Sequence, residues 1–415
     1  MNKKLPIDKV VKSVSITHKF DKPFLNFLNT SDVENGKIIN INRLSIKELK
    51  GQAKKTIKKH DILFSEIRPK NRRFAYVDID DTYDYVVSTK LMVLRNINSE
   101  VDNKYFYYFL TNDHMLSILQ DRAENRIGSF PQITFDLLSE YTIRVPDISE
   151  QRKIVSVLSA LDTKIELNNK LNDNLELMAK TLYDYWFVQF DFPDANGKPY
   201  KTSGGKMVWS NELKREVPDG WSSSTLDEIG DITGGSTPTR DNESYFTSNG
   251  IAWITPKDLS LNVGKKFIKK GELDVSDEGR NAASLNVMPR GTVLMSSRAP
   301  IGYLAIARNE VTTNQGFKSF VPKSYFTTEF IYYTIKNLSP VIENNASGST
   351  FKEVSSSVLK TIYFLAPKEQ IIEKYTKTIS SVFNMQELLE GENQKLAELR
   401  DWLLPMLMNG QVKID

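Results

Sequence analysis

The residues best suited to chemistry in this sequence are hydrogen-bond donors and acceptors that stand near glycines. The run GGSTPTRDNESYF begins at Gly234, and IAWITPKDL follows from Ile251. Glycine lets a backbone approach a neighbouring group closely. The hydroxyl, amide and guanidinium groups can bond to phosphate oxygens or to base edges. These residue types indicate polar binding rather than bond cleavage, although a Gly-Gly-Ser turn by itself is common.

Patterns typical of cofactor and metal sites are missing from the sequence. The GGK run at Gly204 is followed by Met207 instead of the Ser or Thr of a Walker A loop. Neither G-x-G-x-x-G after a predicted strand nor G-x-S-x-G occurs. The three histidines, His18, His60 and His114, lack the spacing of metal ligands. We therefore predict a non-catalytic binding protein with no cofactor and no metal.

Composition limits the class of protein further. The chain of 415 residues has no cysteine, which excludes disulfides and thiolate metal sites and fits a reducing compartment. Its first residues, MNKKLPIDKVVKSV, lack the apolar core of a signal peptide. The longest apolar run, Tyr105–Leu110, is far too short to cross a membrane. We predict a soluble cytoplasmic protein of two or three domains.

The net charge of +3 is unevenly distributed. Between Lys37 and Arg73, twelve Lys and Arg residues stand against three acids, an excess of nine positive charges. A second basic cluster, GKKFIKK, runs from Gly264 to Lys270. One such run is usually a solvated surface, but two in matching halves of a chain favour a polyanionic partner.

The elements that must position these residues occur twice. Three pairs of segments keep the same order: DILFSEIRP from Asp61 and TVLMSSRAP from Thr292, KYFYYFL from Lys104 and EFIYYTI from Glu329, and PDISEQRKI from Pro146 and PKEQIIEKY from Pro367. Internal repeats constrain a fold strongly. We predict two diverged copies of a mixed α/β globule, each followed by a long helix.

Apolar residues spaced alternately three and four apart predict that the two helices form a coiled-coil pair. In the first helix the spacing shifts phase near Asn168, and the apolar positions are Ile154, Leu158, Leu161, Ile165, Leu171, Leu175, Met178, Leu182 and Tyr185. In the second helix the positions are Ile372, Tyr375, Ile379, Val382, Gln386, Leu389, Asn393 and Leu396. A helix of roughly 55 Å exceeds what one globule needs. We therefore predict antiparallel pairing rather than separate packing, with Asn168, Asn172 and Asn393 fixing the register.

The predicted contact line between the helices and the predicted domain limits are as follows. The contact residues are Ile154, Leu161, Asn168, Leu175, Ile379, Leu389, Asn393 and Leu396. The domains are a first globule at 1–147, the first helix at 148–190, a connector at 191–220, a second globule at 221–366 and the second helix with the tail at 367–415. Asn-Gly, Gly-Gly and Pro-Asp-Gly turns predict that the connector lies on the surface.

This order of globule, helix, globule and helix resembles the specificity subunit of type I restriction-modification enzymes. The resemblance covers nearly the whole chain. It is most specific in RVPDISEQRKIVSVLSALDTKIELNNKLNDNLELMAKTLYDYWF, in GGSTPTR…YF…IAWITPKDL and in APKEQ…LAELRDWLLPMLMNGQV. Where the second globule has GGSTPTR, the first has FLNTSDVENGKI, so the resemblance implies a different recognition subtype for the first globule.

The resemblance implies a function in phage defence and DNA methylation. Each globule would be a target recognition domain that reads one half of a split, asymmetric site on double-stranded DNA. The antiparallel helices would set the spacer between the half-sites and dock two adenine-methyltransferase subunits, and motor-nuclease subunits would join that complex. The chain itself would be non-catalytic.

The resemblance also implies that side chains on loops and strand ends read the DNA. In the first globule the candidates are Thr30, Ser31, Ser65, Arg68, Arg72, Arg73 and Lys90. In the second globule they are Thr237, Thr239, Arg240, Trp253, Thr255, Lys257, Ser296, Arg298, Asn314 and Gln315. Arg68 and Arg298 rank first because they occupy matching places in the repeat; the alternative for either is a surface ion pair.

Two other classes of protein stay open. A nuclease with two catalytic halves would need matched clusters of carboxylates and lysine. The Glu48-Leu49-Lys50 and Glu212-Leu213-Lys214 triplets have the E-x-K form of some nucleases, which also arises by chance. A coiled-coil scaffold that binds only proteins would leave the basic stretch from Lys37 to Arg73 without a purpose.

Overall fold

A computed structural model describes residues 3–49, 51–125, 131–298, 300–348 and 352–414. The chain divides into two compact units. The first consists of the residues up to Glu166 and those from Gln394 onward, and the second of Leu167–Asn393. Each unit therefore holds one globule and a stretch of both long helices.

The first unit is built mainly from short strands. The strands are β1 (Lys3–Pro6), β2 (Val11–Ser13), β3 (Phe24–Leu28), β4 (Val33–Glu34), β5 (Lys37–Ile38), β6 (Asn42–Ser45), β7 (Ala53–Thr56), β8 (Ile62–Ser65), β9 (Phe74–Tyr76), β10 (Tyr85–Ser88), β11 (Leu91–Asn96) and β12 (Thr142–Val145). The helices are α1 (Asn103–Thr111), α2 (Asp113–Glu124), α3 (Phe135–Ser139) and the first long helix α4 (Ile148–Tyr183), which continues into the second unit.

Two four-stranded sheets form the first globule, in the orders β6-β3-β10-β7 and β2-β11-β8-β9. The strands β8 and β11 are apolar runs buried on both faces, as central strands should be. The strand β1 pairs antiparallel with β12, directly before the long helix. Leu404 and Leu407 of the second long helix pack in this core with Ile154 and Leu158.

The second unit contains a further set of strands and helices. The strands are β13 (Met207–Ser210), β14 (Arg215–Pro218), β15 (Ser222–Thr225), β16 (Gly230–Gly234), β17 (Phe246–Thr247), β18 (Ile251–Ile254), β19 (Phe267–Ile268), β20 (Leu273–Val275), β21 (Val293–Met295), β22 (Leu304–Ala307), β23 (Val311–Thr313), β24 (Lys318–Pro322) and β25 (Tyr363–Ala366). The helices are α5 (Leu226–Ile229), α6 (Pro256–Leu261), α7 (Asp277–Ala282), α8 (Thr328–Asn344), α9 (Ser356–Thr361) and the second long helix α10 (Glu369–Asn409).

The second globule repeats the topology of the first. The order β16-β24-β21-β22 reproduces β2-β11-β8-β9, with β19 added at the edge. The parallel pair β18 and β23 reproduces the parallel pair β3 and β10. The strand β15 pairs with β25 before the long helix, as β1 pairs with β12. The predicted duplication is therefore confirmed.

The topology corrects one predicted correspondence. The segment FLNTSD forms β3 and the turn after it, and its counterpart is WITPKD, not GGSTPTR. Both turns begin with a capping box, Asn29 with Asp32 and Thr255 with Asp258. The match is hidden in the sequence because Asn and Thr differ in side chain although both are preferred helix N-caps.

The two long helices run antiparallel in both units. In the first unit, Lys153 Nζ donates to Ile414 O at 3.2 Å, and Arg400 Nη1 donates to Asp162 Oδ1 at 2.9 Å. In the second unit, Asn168 Nδ2 donates to Asn393 Oδ1 at 2.9 Å. Residue numbers rise along α4 as they fall along α10, which confirms the predicted direction.

The predicted phase shift near Asn168 is wrong. Asn168 and Asn172 are buried, whereas Leu171 and Met178 are 45% and 60% exposed. The contact line continues at spacings of three and four through both asparagines to Leu175 and Ala179. A pattern of apolar residues alone predicts the wrong contact positions here, because asparagine side chains occupy two of them.

The predicted contact residues of the helix pair divide by burial. Ile154, Asn168, Ile379 and Leu389 are buried. Leu161, Leu175, Asn393 and Leu396 are partly buried. Asn168 and Asn393 are hydrogen-bonded to each other across the pair, and the contact role of the other six stays a prediction.

The connector at 191–220 is more ordered than a surface loop. It contains the hairpin β13–β14. Phe192 is buried and stacks between Tyr200 and Trp221, with ring centroids 4.6 and 4.9 Å away. Aromatic residues spaced between its turn formers account for this packing.

None of the helices in the described part of the chain combines the length and the apolar character that a membrane span requires.

Candidate nucleic-acid interface

A cleft of about 780 Å³ in the second unit brings together many of the predicted site residues. Seven predicted residues line it: Thr237, Arg240, Trp253, Thr255, Lys257, Asn314 and Gln315. The lining is completed by Glu243, Phe246, Pro256, Asp258, Glu272 and Leu273. The ends of the parallel strands β18 and β23 thus share one polar cleft with the loop after β16.

One buried carboxylate holds two edges of this cleft. Asp258 Oδ2 accepts hydrogen bonds from Thr255 N at 2.8 Å and from Thr255 Oγ1 at 2.6 Å. Its other oxygen accepts from Glu272 N at 2.9 Å. Asp258 is therefore committed to structure, and it fixes the position of Thr255, whose hydroxyl is occupied by the cap.

The loop after β16 fits only because Gly235 has no side chain. A Cβ on Gly235 would lie 2.1 Å from Asn314 O. Ser236 N donates to Thr313 O at 3.0 Å, and the Thr237 hydroxyl bonds to the Gln315 side chain. The close backbone approach predicted for these glycines is therefore present at Gly235.

The cleft carries groups of both charges. Lys257 Nζ donates to Glu272 Oε2 at 2.6 Å, and this contact raises the pKa of Lys257 and lowers that of Glu272. The exposed Arg240 has no hydrogen-bond or ion-pair partner in the described part of the chain. With Asn314 and Gln315, the cleft offers a guanidinium donor, amides and a carboxylate, which are the groups that distinguish base edges.

Three predicted residues are buried, and their polar groups bond within the protein; of the three, only Trp253 also lines the cleft. Trp253 is buried, and its indole N–H donates to Ser236 O at 3.1 Å. Ser296 is buried and donates to Pro300 O at 2.7 Å, while Ser65 is buried and donates to Ile67 O at 3.3 Å. Ser65 is the last residue of β8 and Ser296 directly follows β21, so both serines build the matching turns that lead to Arg68 and Arg298.

The two matched arginines differ in their surroundings. Arg68 is exposed, adopts a positive φ of 48° and has no side-chain partner among the described residues. Arg298 is partly buried and lies 3.8 Å from Glu353, which also faces Lys318 at 3.8 Å. The surface ion pair weighed as the alternative therefore occurs at Arg298.

The remaining predicted residues of the first globule lie on its loops. Thr30 and Ser31 form the turn after β3, and the exposed Lys90 lies on the turn between β10 and β11. Arg72 pairs with Asp113, and Arg73 Nη1 lies 3.4 Å from Glu34 Oε1. In the second globule, the Thr239 hydroxyl donates to Asp241 at 3.2 Å. The loops of Thr30 and Lys90 correspond to those of Thr255 and Asn314 in the cleft.

Part of each basic run is internal. Lys55 is buried and donates to Thr89 O at 3.1 Å and to Leu91 O at 2.8 Å, and burial lowers its pKa. Lys266 is only 3% exposed. Six cations of the first run are exposed without an ion pair to a described residue: Arg43, Lys47, Lys54, Lys58, Arg68 and Lys70. Charge counts alone therefore overstate the cations that are free to bind a polyanion.

The acidic lining of the cleft escaped the sequence prediction. The capping pattern Thr255-Pro-Lys-Asp258 could have indicated the helix start, but nothing near Glu272 or Glu243 signals a cleft. Of the E-x-K triplets, Lys50 lies outside the described residues, while Glu48 accepts from the Ser45 hydroxyl at 2.7 Å. In the described ranges no group of three or more His, Asp and Glu residues could hold a metal.

Comparison with known proteins agrees with this architecture. A family model described as the type I restriction modification DNA specificity domain matches residues 10–177 and 218–398. The type I restriction enzyme HindI specificity subunit of Haemophilus influenzae is 31% identical, over 96% of this chain and 97% of that protein. The MjaIX specificity subunit of Methanocaldococcus jannaschii is 35% identical, over 47% of this chain and 46% of that protein.

A solved structure shares the fold. The type I restriction-modification S subunit from M. genitalium superposes with a TM-score of 0.57 at 16% identity, over 98% of this chain and 96% of that chain. A duplicated recognition domain joined to paired helices defines the class as a two-domain DNA-specificity protein. The chain belongs to the specificity subunits of type I restriction-modification enzymes, which are non-catalytic.

Proposed function

We propose that each globule reads one half of an asymmetric, bipartite site on double-stranded DNA. The observation that carries this proposal is the shared topology, which sets loops of different sequence on equivalent strand ends in the two units. Two different readers on one chain can recognise two different half-sites, whereas a dimer of identical chains recognises a palindrome.

The cleft of the second unit supplies the reading groups for its half-site. Arg240 can donate two hydrogen bonds to guanine, and Asn314 or Gln315 can pair with adenine. Glu272 can accept from the cytosine amino group. Lys257, paired with Glu272, holds that carboxylate at the edge of the cleft.

In the first unit the reading groups are on the matching loops. Thr30 and Ser31 occupy the turn after β3, and Lys90 occupies the turn after β10. Arg68 is free of ion pairs to described residues and exposed, so it can reach phosphate or a base. The exposed cations between Arg43 and Lys70 supply phosphate contacts that carry no sequence information.

The long helices are proposed to set the spacer between half-sites and to dock two methyltransferase subunits. In the second unit, Leu167, Leu171 and Met178 form an exposed apolar stripe on α4, and Met385 and Leu388 do so on α10. In the first unit, Leu399 and Trp402 of α10 are exposed. Exposed apolar stripes of this kind mark protein interfaces, and motor-nuclease subunits would join through that complex.

The proposal can be tested on the full chain assembled with its methyltransferase subunits. DNA bound from a random pool is sequenced for the wild type and for a variant with both Arg240→Ala and Gln315→Ala. The expected result is relaxed preference in one half of the site, with each lost contact costing about 1–3 kcal/mol of discrimination. The other half and the spacer should not change.

A matched control removes a cation elsewhere. Lys198 lies exposed in the connector, outside the cleft lining, and Lys198→Ala should leave both half-sites unchanged. If the cleft variant binds the same bipartite sequence with the same preferences as the wild type, the cleft does not read DNA and the proposed function fails.

A further inference from the structure

A tyrosine at the same place in each globule bonds to a carboxylate of the first long helix. Tyr108 in α1 and Tyr333 in α8 correspond through the repeated Tyr-Tyr pair. Tyr108 Oη donates to Asp162 Oδ2 at 2.7 Å within the first unit. Tyr333 Oη donates to Glu176 Oε2 at 2.9 Å within the second. The chemistry is the same, although Asp162 and Glu176 are different positions of α4.

In the second unit a buried lysine joins this contact to both helices. Lys266 Nζ lies 2.7 Å from Glu176 Oε2 on α4 and donates to Gln386 Oε1 on α10 at 2.6 Å and to Tyr333 Oη at 3.0 Å. It also lies 3.9 Å from the centroid of the Phe383 ring. We call Lys266, Tyr333, Glu176 and Gln386 the second junction.

The same segment of the second globule is bonded to α10 through its backbone. Lys266 N and Phe267 N both donate to the Glu390 carboxylate, at 2.8 and 3.0 Å. Arg308 Nη2 donates to Glu387 O at 2.7 Å. The start of β19 is therefore fixed to one turn of α10 by several directional bonds.

In the first unit a smaller set of hydrogen bonds also joins the globule, α4 and α10. Asp162 accepts from Tyr108 of the globule and from Arg400 Nη1 of α10 at 2.9 Å. We call Tyr108, Asp162 and Arg400 the first junction. Burial, together with the adjacent carboxylates, raises the pKa of both tyrosines, so each hydroxyl keeps its proton and stays a donor.

Directional bonds of this kind select one orientation of the groups that they join, besides any stability that they add. Apolar packing tolerates small rotations, but a buried charge or hydroxyl that loses its partner is costly. Turning the second globule on its helix segments would break the bonds of Lys266 and Tyr333 together. The junctions therefore favour one angle of each globule on the helices beside it.

We infer that the two junctions are positioning sites that decide which spacer between half-sites is accepted. This inference rests on the proposed reading of two half-sites. One added base pair moves a half-site by about 3.4 Å and turns it by about 35°. A globule held at one angle rejects that change, whereas a globule freed to turn accepts it. Tyr108 and Tyr333 are positioning residues because neither lines the cleft of the second unit.

The test measures the binding of DNA duplexes that share both half-sites and differ by one base pair in the spacer. The assembled wild-type complex should prefer one spacer over its neighbours by about tenfold or more. Tyr333→Phe and Tyr108→Phe should each reduce that preference at least about threefold. Affinity for the preferred duplex and the sequence of each half-site should not change.

The neighbouring Tyr332 supplies a matched control, because it is also buried but donates no hydrogen bond to a described residue. Tyr332→Phe should keep the wild-type preference for one spacer. If a phenylalanine variant melts early, its spacer preference is measured at a temperature at which circular dichroism shows it folded. Glu176→Gln, measured under the same condition, should loosen the preference in the same way.

The outcomes separate the inference from the function on which it rests. If Tyr333→Phe or a folded Glu176→Gln variant discriminates between spacers as sharply as the wild type, the positioning inference is overturned and half-site reading is unaffected. If the wild-type complex binds DNA with no bipartite preference, the proposed function fails.

Discussion

Replacing Glu176 by Gln should remove a pH-dependent part of the stability of the second unit. Burial would raise the pKa of Glu176, but Lys266 and Lys336, at 2.7 Å each, together lower it to about 2 from its ordinary 4.5. Because the folded-state pKa is the lower one, this stabilisation is present above pH 4.5 and is lost as the pH falls towards 2. The difference corresponds to about 3 kcal/mol.

The variant should therefore be less stable than the wild type by about 3 kcal/mol at pH 7. By pH 3 the wild type has lost about 2 kcal/mol of this advantage through protonation. Urea unfolding followed by tryptophan fluorescence reports mainly on the second unit, since four of the five tryptophans lie there. An unchanged difference in unfolding free energy between pH 7 and pH 3 would refute the ion-pair reasoning.

Three further changes test other parts of the structure. Gly235→Ala should weaken sequence preference in one half of the DNA site and lower the melting temperature, because its Cβ would meet the backbone oxygens of Asn314 and Thr313 at 2.1 and 2.2 Å; binding-site selection and a thermal melt check this, and an unchanged half-site preference would contradict a role of this close approach in reading DNA. Arg68→Ala should reduce the slope of log affinity against log salt by about 0.9, since one phosphate contact is lost; an unchanged slope in gel shifts would exclude that contact. Ile379→Ala should cost about 2–5 kcal/mol of unfolding free energy, because Ile379 is buried in a core cluster that also contains Ala179 and Tyr183 of α4; a cost below about 1 kcal/mol in urea would contradict that packing.

The duplication and the helix pair could be predicted because each leaves a periodic or repeated record in the sequence. The Tyr-Tyr pairs recur in the same order as Pro146 and Pro367, the prolines that precede the long helices, and the spacing of three and four continues from Ile372 to Leu396 of α10. In α4 the predicted contact line shifted phase at Asn168, and this prediction was wrong. Asn168 and Asn172 are buried at contact positions, and a search for apolar residues passes over asparagine.

The candidate site was predictable only in part. Loops with Thr, Arg, Asn and Gln could be recognised as polar and near glycine, and the structure brings five such residues to one cleft, together with the predicted Trp253 and Lys257. Burial could not be read from residue type, so Ser296 and Trp253 looked available and Lys266 looked like a surface charge. Tertiary contacts decide these cases, since Lys266 is paired with Glu176, a residue 90 positions earlier in the chain.

The division of reading between the two globules is tested most directly by exchanging one of them. Residues from Trp221 to Phe364 are replaced by the corresponding segment of another specificity subunit, and the methylated sequence is determined in cells that carry the methyltransferase partner. One half of the methylated site should change, while the other half and the spacer stay as in the wild type. A change in both halves at once would show that the two globules read DNA jointly, so that reading is not divided between them.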